Sequence, residues 1–410
     1  ASARRIKQTS YEIHDSDAGM YYNSASMFRR ELSLPARLSV FVFGPRQSGK
    51  STLIRASLPS DAWIVDLLRP DDALRYSKQP ATFREEAEHR IRGGCTCIFV
   101  DEIQKVPALL DVVHDLMTQQ GVRFVLSGSS ARKLRRGGVN LLGGRAAVRR
   151  LHPLTAHEMG DAFDLERALR FGTLPSIATA PDDDARDILT SYAGTYLREE
   201  IFAEALVRDL GAFARFLDVA ASQSGDLLNA EAVARDASVS ARTVRAYYQL
   251  LEDTLLGFRL EAWRKGVRAR LVAHPRFMLF DPGVINAFNR RLTSPLDPRE
   301  RGRLFEQWLI LECRRIIDYA GSEAQLFFWR TNVGAEIDLL VEKHGRLIAA
   351  VECKTGANIV AADFGGLRSF AAENPDVPRY VVTPRAEERR IDDVLILGWR
   401  AFLERFRAEI

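Results

Sequence analysis

Short apolar runs punctuate the first third of the chain. Residues 38–43 (Leu-Ser-Val-Phe-Val-Phe), 96–100 (Thr-Cys-Ile-Phe-Val) and 122–126 (Val-Arg-Phe-Val-Leu) are rich in β-branched and aromatic side chains and run into Gly, Asp or Ser, the pattern of buried strands. Residues 146–151 read as a further strand. Between about 161 and 221 the apolar spacing turns helical, with Tyr192, Tyr196, Ile201 and Leu206 on one repeat. Residues 227–234 then read as a short helix and 236–239 as a tight turn. Ser240 caps a second helix with Val244, Tyr247, Tyr248 and Leu251 on one face. A strand pair follows over 257–280. The last third opens on an amphipathic helix at 302–312 and continues through strands at 326–330, 335–341 and 347–351. Buried strands interleaved with helices predict the α/β class.

The first apolar run leads into Gly44-Pro45-Arg46-Gln47-Ser48-Gly49-Lys50-Ser51-Thr52, and a helical stretch follows at Leu53. Strand, glycine-rich loop and helix form the context that a phosphate-binding P-loop requires. Gly44 and Gly49 let the backbone turn its N–H groups toward phosphate, and the helix N-terminus adds partial positive charge. Lys50 then bridges the β- and γ-phosphates of ATP, and the Ser51 hydroxyl ligates Mg²⁺. The second run ends in Asp101-Glu102, where Asp101 supports Mg²⁺ and Glu102 polarises the attacking water as general base. The third ends in polar residues 127–130. Ser127 and Ser129 read either as donors to the γ-phosphate or the water, or as an ordinary turn. Arg145 follows Gly143-Gly144 and reads as a finger reaching a neighbouring subunit's γ-phosphate, or as a partner for acidic surface.

The P-loop, the Asp101-Glu102 pair, residues 126–130 (Leu-Ser-Gly-Ser-Ser), residues 142–145 (Leu-Gly-Gly-Arg), Pro153-Leu154 and Glu158 together resemble AAA+ ATPases. More narrowly, they resemble a prokaryotic group with a C-terminal domain of unknown function. The resemblance implies a parallel-sheet core, Mg-ATP as cofactor, and a homo-oligomer, hexameric by family habit, in which one subunit completes its neighbour's site.

Two short helices with a polar turn and a serine cap fit a helix-turn-helix, with Arg242 and Arg245 facing outward. The following strand pair, carrying Arg259, Arg264, Lys265, Arg268 and Arg270, would be its wing. The pattern reads as DNA backbone and groove contact, or as an interaction winged helix that touches no DNA. In the last third, Asp338 stands inside an apolar strand and Glu352-Cys353-Lys354 ends the next one. Carboxylates on neighbouring strands converge to hold a divalent metal, and a lysine two residues on shares the strand face and can orient water. Glu306 on the preceding helix would complete such a site. This arrangement resembles the PD-(D/E)xK, restriction-endonuclease-like nucleases over about residues 301–385, although Ile337 stands where the pattern has proline. The resemblance implies a second divalent metal if the site is active, or a degenerate fold kept for DNA binding if it is not.

Composition narrows the classes further. With 410 residues, 46% hydrophobic and 27% charged, the chain is a globular protein of two to four domains. No apolar run approaches the roughly 18 residues of a membrane helix, and residues 1–8 lack the apolar stretch of a secretory signal, so none is expected unless one has been removed. Four cysteines are too few for a disulfide framework, and Cys95-x-Cys97 lacks a second pair for zinc. A cytoplasmic protein without membrane contact is expected. The net charge of +4 does not announce a nucleic-acid binder, but arginines crowd 132–150 and 259–276. The expected organisation is an ATPase domain over 1–160, a helical linker with winged helix over 161–285, and a nuclease-like domain over 286–410. The expected function is ATP hydrolysis coupled to DNA binding, remodelling or translocation. An ATP-regulated nuclease and a signalling switch that binds no DNA are the alternatives.

Overall fold

A computed structural model of the chain describes residues 28–130, 144–196, 209–264, 274–356, 358–385 and 387–410. The three apolar runs form β1 (Ser39–Phe43), β3 (Cys97–Asp101) and β4 (Arg123–Gly128), and nearly every residue in them is buried. With β2 (Trp63–Asp66) and β5 (Ala146–Arg150) they make a five-stranded sheet in the order β2-β3-β4-β1-β5, parallel throughout. Helices α1 (Lys50–Ser57), α2 (Pro70–Lys78), α3 (Pro80–Arg92) and α4 (Leu109–Gln120) connect the strands. Parallel packing accounts for the unbroken apolar runs, because crossover helices cover such a sheet on both faces. The edge strand β2 alternates buried and exposed residues over only four positions and leaves a weaker imprint on the sequence.

Beyond β5 the chain turns through short helices α5 (Ala156–Met159), α6 (Leu165–Phe171), α7 (Pro175–Ala178) and α8 (Asp182–Ser191). Next come α9 (Leu210–Ser222), α10 (Ala230–Ala237), α11 (Ala241–Asp253) and the antiparallel hairpin of β6 (Gly257–Ala262) and β7 (Arg276–Leu279). Ser240 caps α11 through a bond from the Thr243 amide, as its position in the sequence suggests. The helix expected at 227–234 starts later. Asn229 caps α10, while Leu227 forms an isolated bridge to Arg276 of β7 and so serves the hairpin. Phe213, Phe216, Tyr247, Tyr248 and Phe277 pack as one aromatic cluster between the three helices and the hairpin.

The hairpin does not stand apart as a separate wing. β6 pairs in parallel with β8 (Gln325–Arg330), so β6 and β7 extend a sheet whose remaining strands are β9 (Glu336–Lys343), β10 (Arg346–Cys353), β11 (Arg379–Thr383), β12 (Arg389–Ile391) and β13 (Val394–Gly398). The order is β12-β13-β11-β10-β9-β8-β6-β7. A sheet therefore crosses the boundary drawn at residue 285. Between lie α12 (Pro282–Phe288) and the 23-residue α13 (Pro298–Ala320), with α14 (Gly365–Ala371) and α15 (Trp399–Glu409) completing the C-terminal part.

Helix α13 is buried along most of its length and carries an ion pair into the interior. Glu312 and Arg315 are 0% and 1% exposed and meet at 2.8 Å. Arg315 also donates to the carbonyls of Leu154 and Phe280 and to the Thr173 hydroxyl, while Glu312 accepts from the Ala156 amide. Among the described residues no helix is long and apolar enough to cross a membrane, and the four cysteines are free thiols.

A buried charge stripped of its partner is far costlier than the pair itself is stabilising. Arg315→Met is expected to lower stability by about 3–5 kcal/mol, because it isolates Glu312 and strands two carbonyls. Urea unfolding monitored by tryptophan fluorescence checks this, and a midpoint equal to the parent's would show that the pair is not structural.

Candidate functional site

The P-loop joins β1 to α1 at the carboxyl end of the parallel sheet. An added Cβ on Gly44 would lie 2.2 Å from the Leu151 carbonyl oxygen, so only glycine passes there. Gly49 has φ 89° and Gln47 has φ 60°, left-handed conformations that curl the loop, and the Ser48 amide closes a turn onto the Pro45 carbonyl at 3.3 Å. Lys50 is buried and donates to the carbonyls of Gly44 and Pro45 at 2.9 and 3.0 Å, closing the loop over its own base. Tyr192 donates to the Arg46 carbonyl at 3.2 Å, and Ser176 at the start of α7 reaches the Gln47 side chain at 3.3 Å. The Ser48 hydroxyl is buried without a hydrogen-bond partner, whereas Thr52 faces solvent.

Ser51 donates to Asp101 Oδ2 at 2.6 Å, which joins the start of α1 to the tip of β3. The other Asp101 oxygen accepts from the Ser127 hydroxyl at the tip of β4. Parallel register explains the meeting, since β4 runs between β1 and β3 and all three end at one level. Ser127 in turn accepts from the Glu102 amide at 3.1 Å. Its place is thus inside the acid cluster, as a bridge from Asp101 to the Glu102 backbone, and it is wholly buried.

Glu102 adopts φ 57° and ψ 46°, an uncommon conformation for a non-glycine residue and one that costs of order 1 kcal/mol. That turn swings its side chain out of the strand direction and onto Gln104. The Gln104 amide donates to Glu102 Oε2 and, at 3.1 Å, to Ser129 Oγ. Gln104 is buried at 5% exposure, and the sequence reading passed over it. A glutamine two residues past a strand-ending acid pair is the one signal that pointed to it. Arg145 lies exposed at the start of β5 and contacts the His114 ring at 2.7 Å.

In the C-terminal part, Glu306, Asp338, Glu352 and Lys354 line one pocket, together with Gly302, Thr355 and Asp363. Two of its acids are paired with protein cations. Lys354 pairs with Glu352 at 2.7 Å, and Arg276 from β7 pairs with Glu306 at 2.6 Å while also meeting Glu336. Asp338 accepts from the Cys353 amide at 2.8 Å. Burial and the neighbouring Asp338 raise the carboxyl pKa of both Glu306 and Glu352. Among the described residues, no three His, Cys, Asp or Glu side chains are grouped so as to hold a metal ion. The acids read as converging on a second metal do share one pocket, and there Arg276 and Lys354 supply countercharge to Glu306 and Glu352.

The basic residues of the middle segment divide similarly. Arg242 is exposed on α11, but Arg245 pairs with Glu231 of α10, and Arg259 pairs with Glu252. Arg264 is exposed at the end of the described part of the hairpin. Lys265, Arg268 and Arg270, with arginines 132–136, lie outside the described residues.

Residues 36–160 match a family model described as AAA domain. Residues 162–295 and 301–402 match two models described as domains of unknown function, DUF8612 and DUF4143. Two uncharacterized proteins, from Mycobacterium tuberculosis and Mycobacterium bovis, are each 26% identical over 313 residues, covering 75% of this chain and 68% of the relative. An uncharacterized protein of Haemophilus influenzae is 22% identical over 269 residues, covering 59% of this chain and 67% of the relative.

Proposed function

We propose that this chain, an AAA domain joined through a middle segment to a DUF4143 domain, is a Mg²⁺-dependent ATPase that couples ATP binding and hydrolysis to binding, remodelling or translocation on DNA. The observation that carries the ATPase reading is the unbroken chain Ser51–Asp101–Ser127–Glu102 across three strand tips beside the P-loop. The residues fit the cofactor. The loop is curled by left-handed Gln47 and Gly49 at the start of α1, and the buried Ser48 hydroxyl has hydrogen-bonding capacity to spare. Ser51 and Asp101 would hold Mg²⁺, whose charge would offset that of the β- and γ-phosphates.

This chain's own residues divide the remaining work. Lys50, which donates to the Gly44 and Pro45 carbonyls, would exchange them for a phosphate oxygen. Gln104 holds Glu102 by Oε2, which leaves Oε1 to take the proton of the attacking water. Ser127 fixes the Glu102 amide, so the strained turn that aims the carboxylate cannot relax. Arg145, exposed beyond the sheet edge, remains the residue best suited to reach a second copy in a homo-oligomer.

Support for DNA as the partner comes from residues 209–279. Three helices, the Leu227–Arg276 bridge and the hairpin form a winged-helix-like arrangement with Arg242 on the outer face of α11. The hairpin shares a sheet with the DUF4143 part, so force or strain at one reaches the other through backbone hydrogen bonds. The C-terminal pocket favours a second reading, metal-dependent DNA cleavage, because Glu352 Oε2 is buried there with no hydrogen-bond partner. That reading requires Arg276 to release Glu306.

Steady-state ATP hydrolysis should rise several-fold with one of single-stranded, duplex or branched DNA, and Lys50→Ala should abolish it. Rates indifferent to every DNA form would favour a switch that acts on protein. Glu102→Gln is expected to lower kcat by about 10²–10⁴ while ATP still binds, as single-turnover assays and a fluorescent-nucleotide titration would show. A parent-like rate in that variant would place the base elsewhere. For the second reading, plasmid cleavage with Mg²⁺ or Mn²⁺ should vanish in Asp338→Ala, and no cleavage by the parent protein removes that reading.

A further inference from the structure

One guanidinium outside the P-loop touches it and the C-terminal part at once. Arg30 precedes β1, and its side chain is only 7% exposed. It donates from NH1 to the Ser48 carbonyl at 2.6 Å and from Nε to Glu158 at 2.9 Å. Its NH2 donates to the His152 carbonyl at 2.6 Å and to the Tyr319 hydroxyl at 3.1 Å. A buried guanidinium is tolerated only when its donors and its charge are both met, so this geometry is tightly specified. Glu158 is itself immobile, being 0% exposed and closing the capping box of α5 with Thr155.

The contact with Ser48 orients a phosphate-facing group. The Ser48–Gly49 peptide is trans, so its C=O and N–H point to opposite sides. Holding the carbonyl on Arg30 turns the Gly49 N–H away from Arg30, into the loop. Tyr319 lies in the last turn of α13, where its hydroxyl also accepts from the His152 amide at 3.1 Å. Next to it Asp318 pairs with the His152 ring at 2.7 Å. The end of α13 is thereby fastened to the chain leaving β5, and through Arg30 to the nucleotide loop.

Building on the ATPase reading, we propose that Arg30 and Tyr319 are positioning residues for the nucleotide: Arg30 sets the Ser48–Gly49 peptide, and Tyr319 makes that setting depend on where α13 stands. The DUF4143 part therefore contributes to ATP affinity. By linkage, nucleotide in the loop biases α13 to the same extent that α13 biases nucleotide.

The test uses the full chain. Tyr319→Phe keeps the ring that packs 5.8 Å from His152 and removes only the hydroxyl. KM for ATP should rise about five- to tenfold with kcat within about twofold, the scale of one charge-assisted hydrogen bond. A merely structural defect would shrink the active fraction and so kcat, leaving KM in place. Arg30→Gln should raise KM further, and the double variant should match Arg30→Gln alone, because the hydroxyl acts through the guanidinium. An unchanged KM in Tyr319→Phe, or additive effects in the double variant, overturns the proposal while leaving the ATPase intact. If the parent neither binds nor hydrolyses Mg-ATP, with Lys50→Ala as the background, the ATPase reading fails first and this inference falls with it.

Discussion

The Glu312–Arg315 pair on α13 is the constraint around which the molecule is assembled. Arginine is expensive to bury and repays it only by finding acceptors in fixed directions. Here those acceptors come from remote stretches of chain: Leu154 after the first sheet, Thr173 after α6, and Phe280 at the end of the hairpin. A shift of any of the three removes an acceptor from a guanidinium buried in the interior. The pair thus sets where the exit of the AAA domain, the middle segment and the DUF4143 helix meet. Apolar packing of Phe163, Trp308 and Trp399 adds cohesion around it, but is far less particular about direction.

With those segments anchored, the parallel sheet determines the chemistry. Side chains that sit far apart in the chain, Ser51, Asp101 and Ser127, meet because parallel strands end together, and only at the carboxyl edge. Glu102 is the exception to regular strand geometry, and its left-handed backbone is what turns a strand-ending acid toward Gln104. Strain kept at such a position indicates that the surroundings outweigh it. The Ser127 bond to the Glu102 amide and the Gln104 bond to its carboxylate are those surroundings.

What could be read in advance follows from the same physics. The P-loop, Asp101 and the central strands were legible because doubly buried strands and phosphate loops restrict residue types over consecutive positions. The cap at Ser240 was legible for a similar local reason. Gln104 carried only the weak signal of its place two residues past the acid pair, and Arg30 and Tyr319 carried none, since they meet from 289 positions apart. The start of α10 was misplaced because Leu227 and Leu228 continue an apolar pattern that tertiary pairing with β7 assigns to the hairpin. The hairpin itself was recognisable as two strands, but nothing in its residues announces that β8 is its neighbour.

Charge pairing distinguishes among the arginines of the middle segment. Arg245, Arg259 and Arg276 all sit where a nucleic-acid contact would be sought, yet each meets a glutamate: Glu231, Glu252 and Glu306. An exposed pair such as Arg245–Glu231 is worth little, so phosphate can outcompete the carboxylate there. Arg276 differs, being buried over the Phe328 ring with two acids around it, and freeing it would cost desolvated charge on both sides. Arg242 and Arg245 are thus the exposed arginines of α11, whereas Arg276 is held inside. Its strand β7 is paired with β6, and β6 with β8, so Arg276 is built into the sheet that the middle segment shares with the C-terminal part.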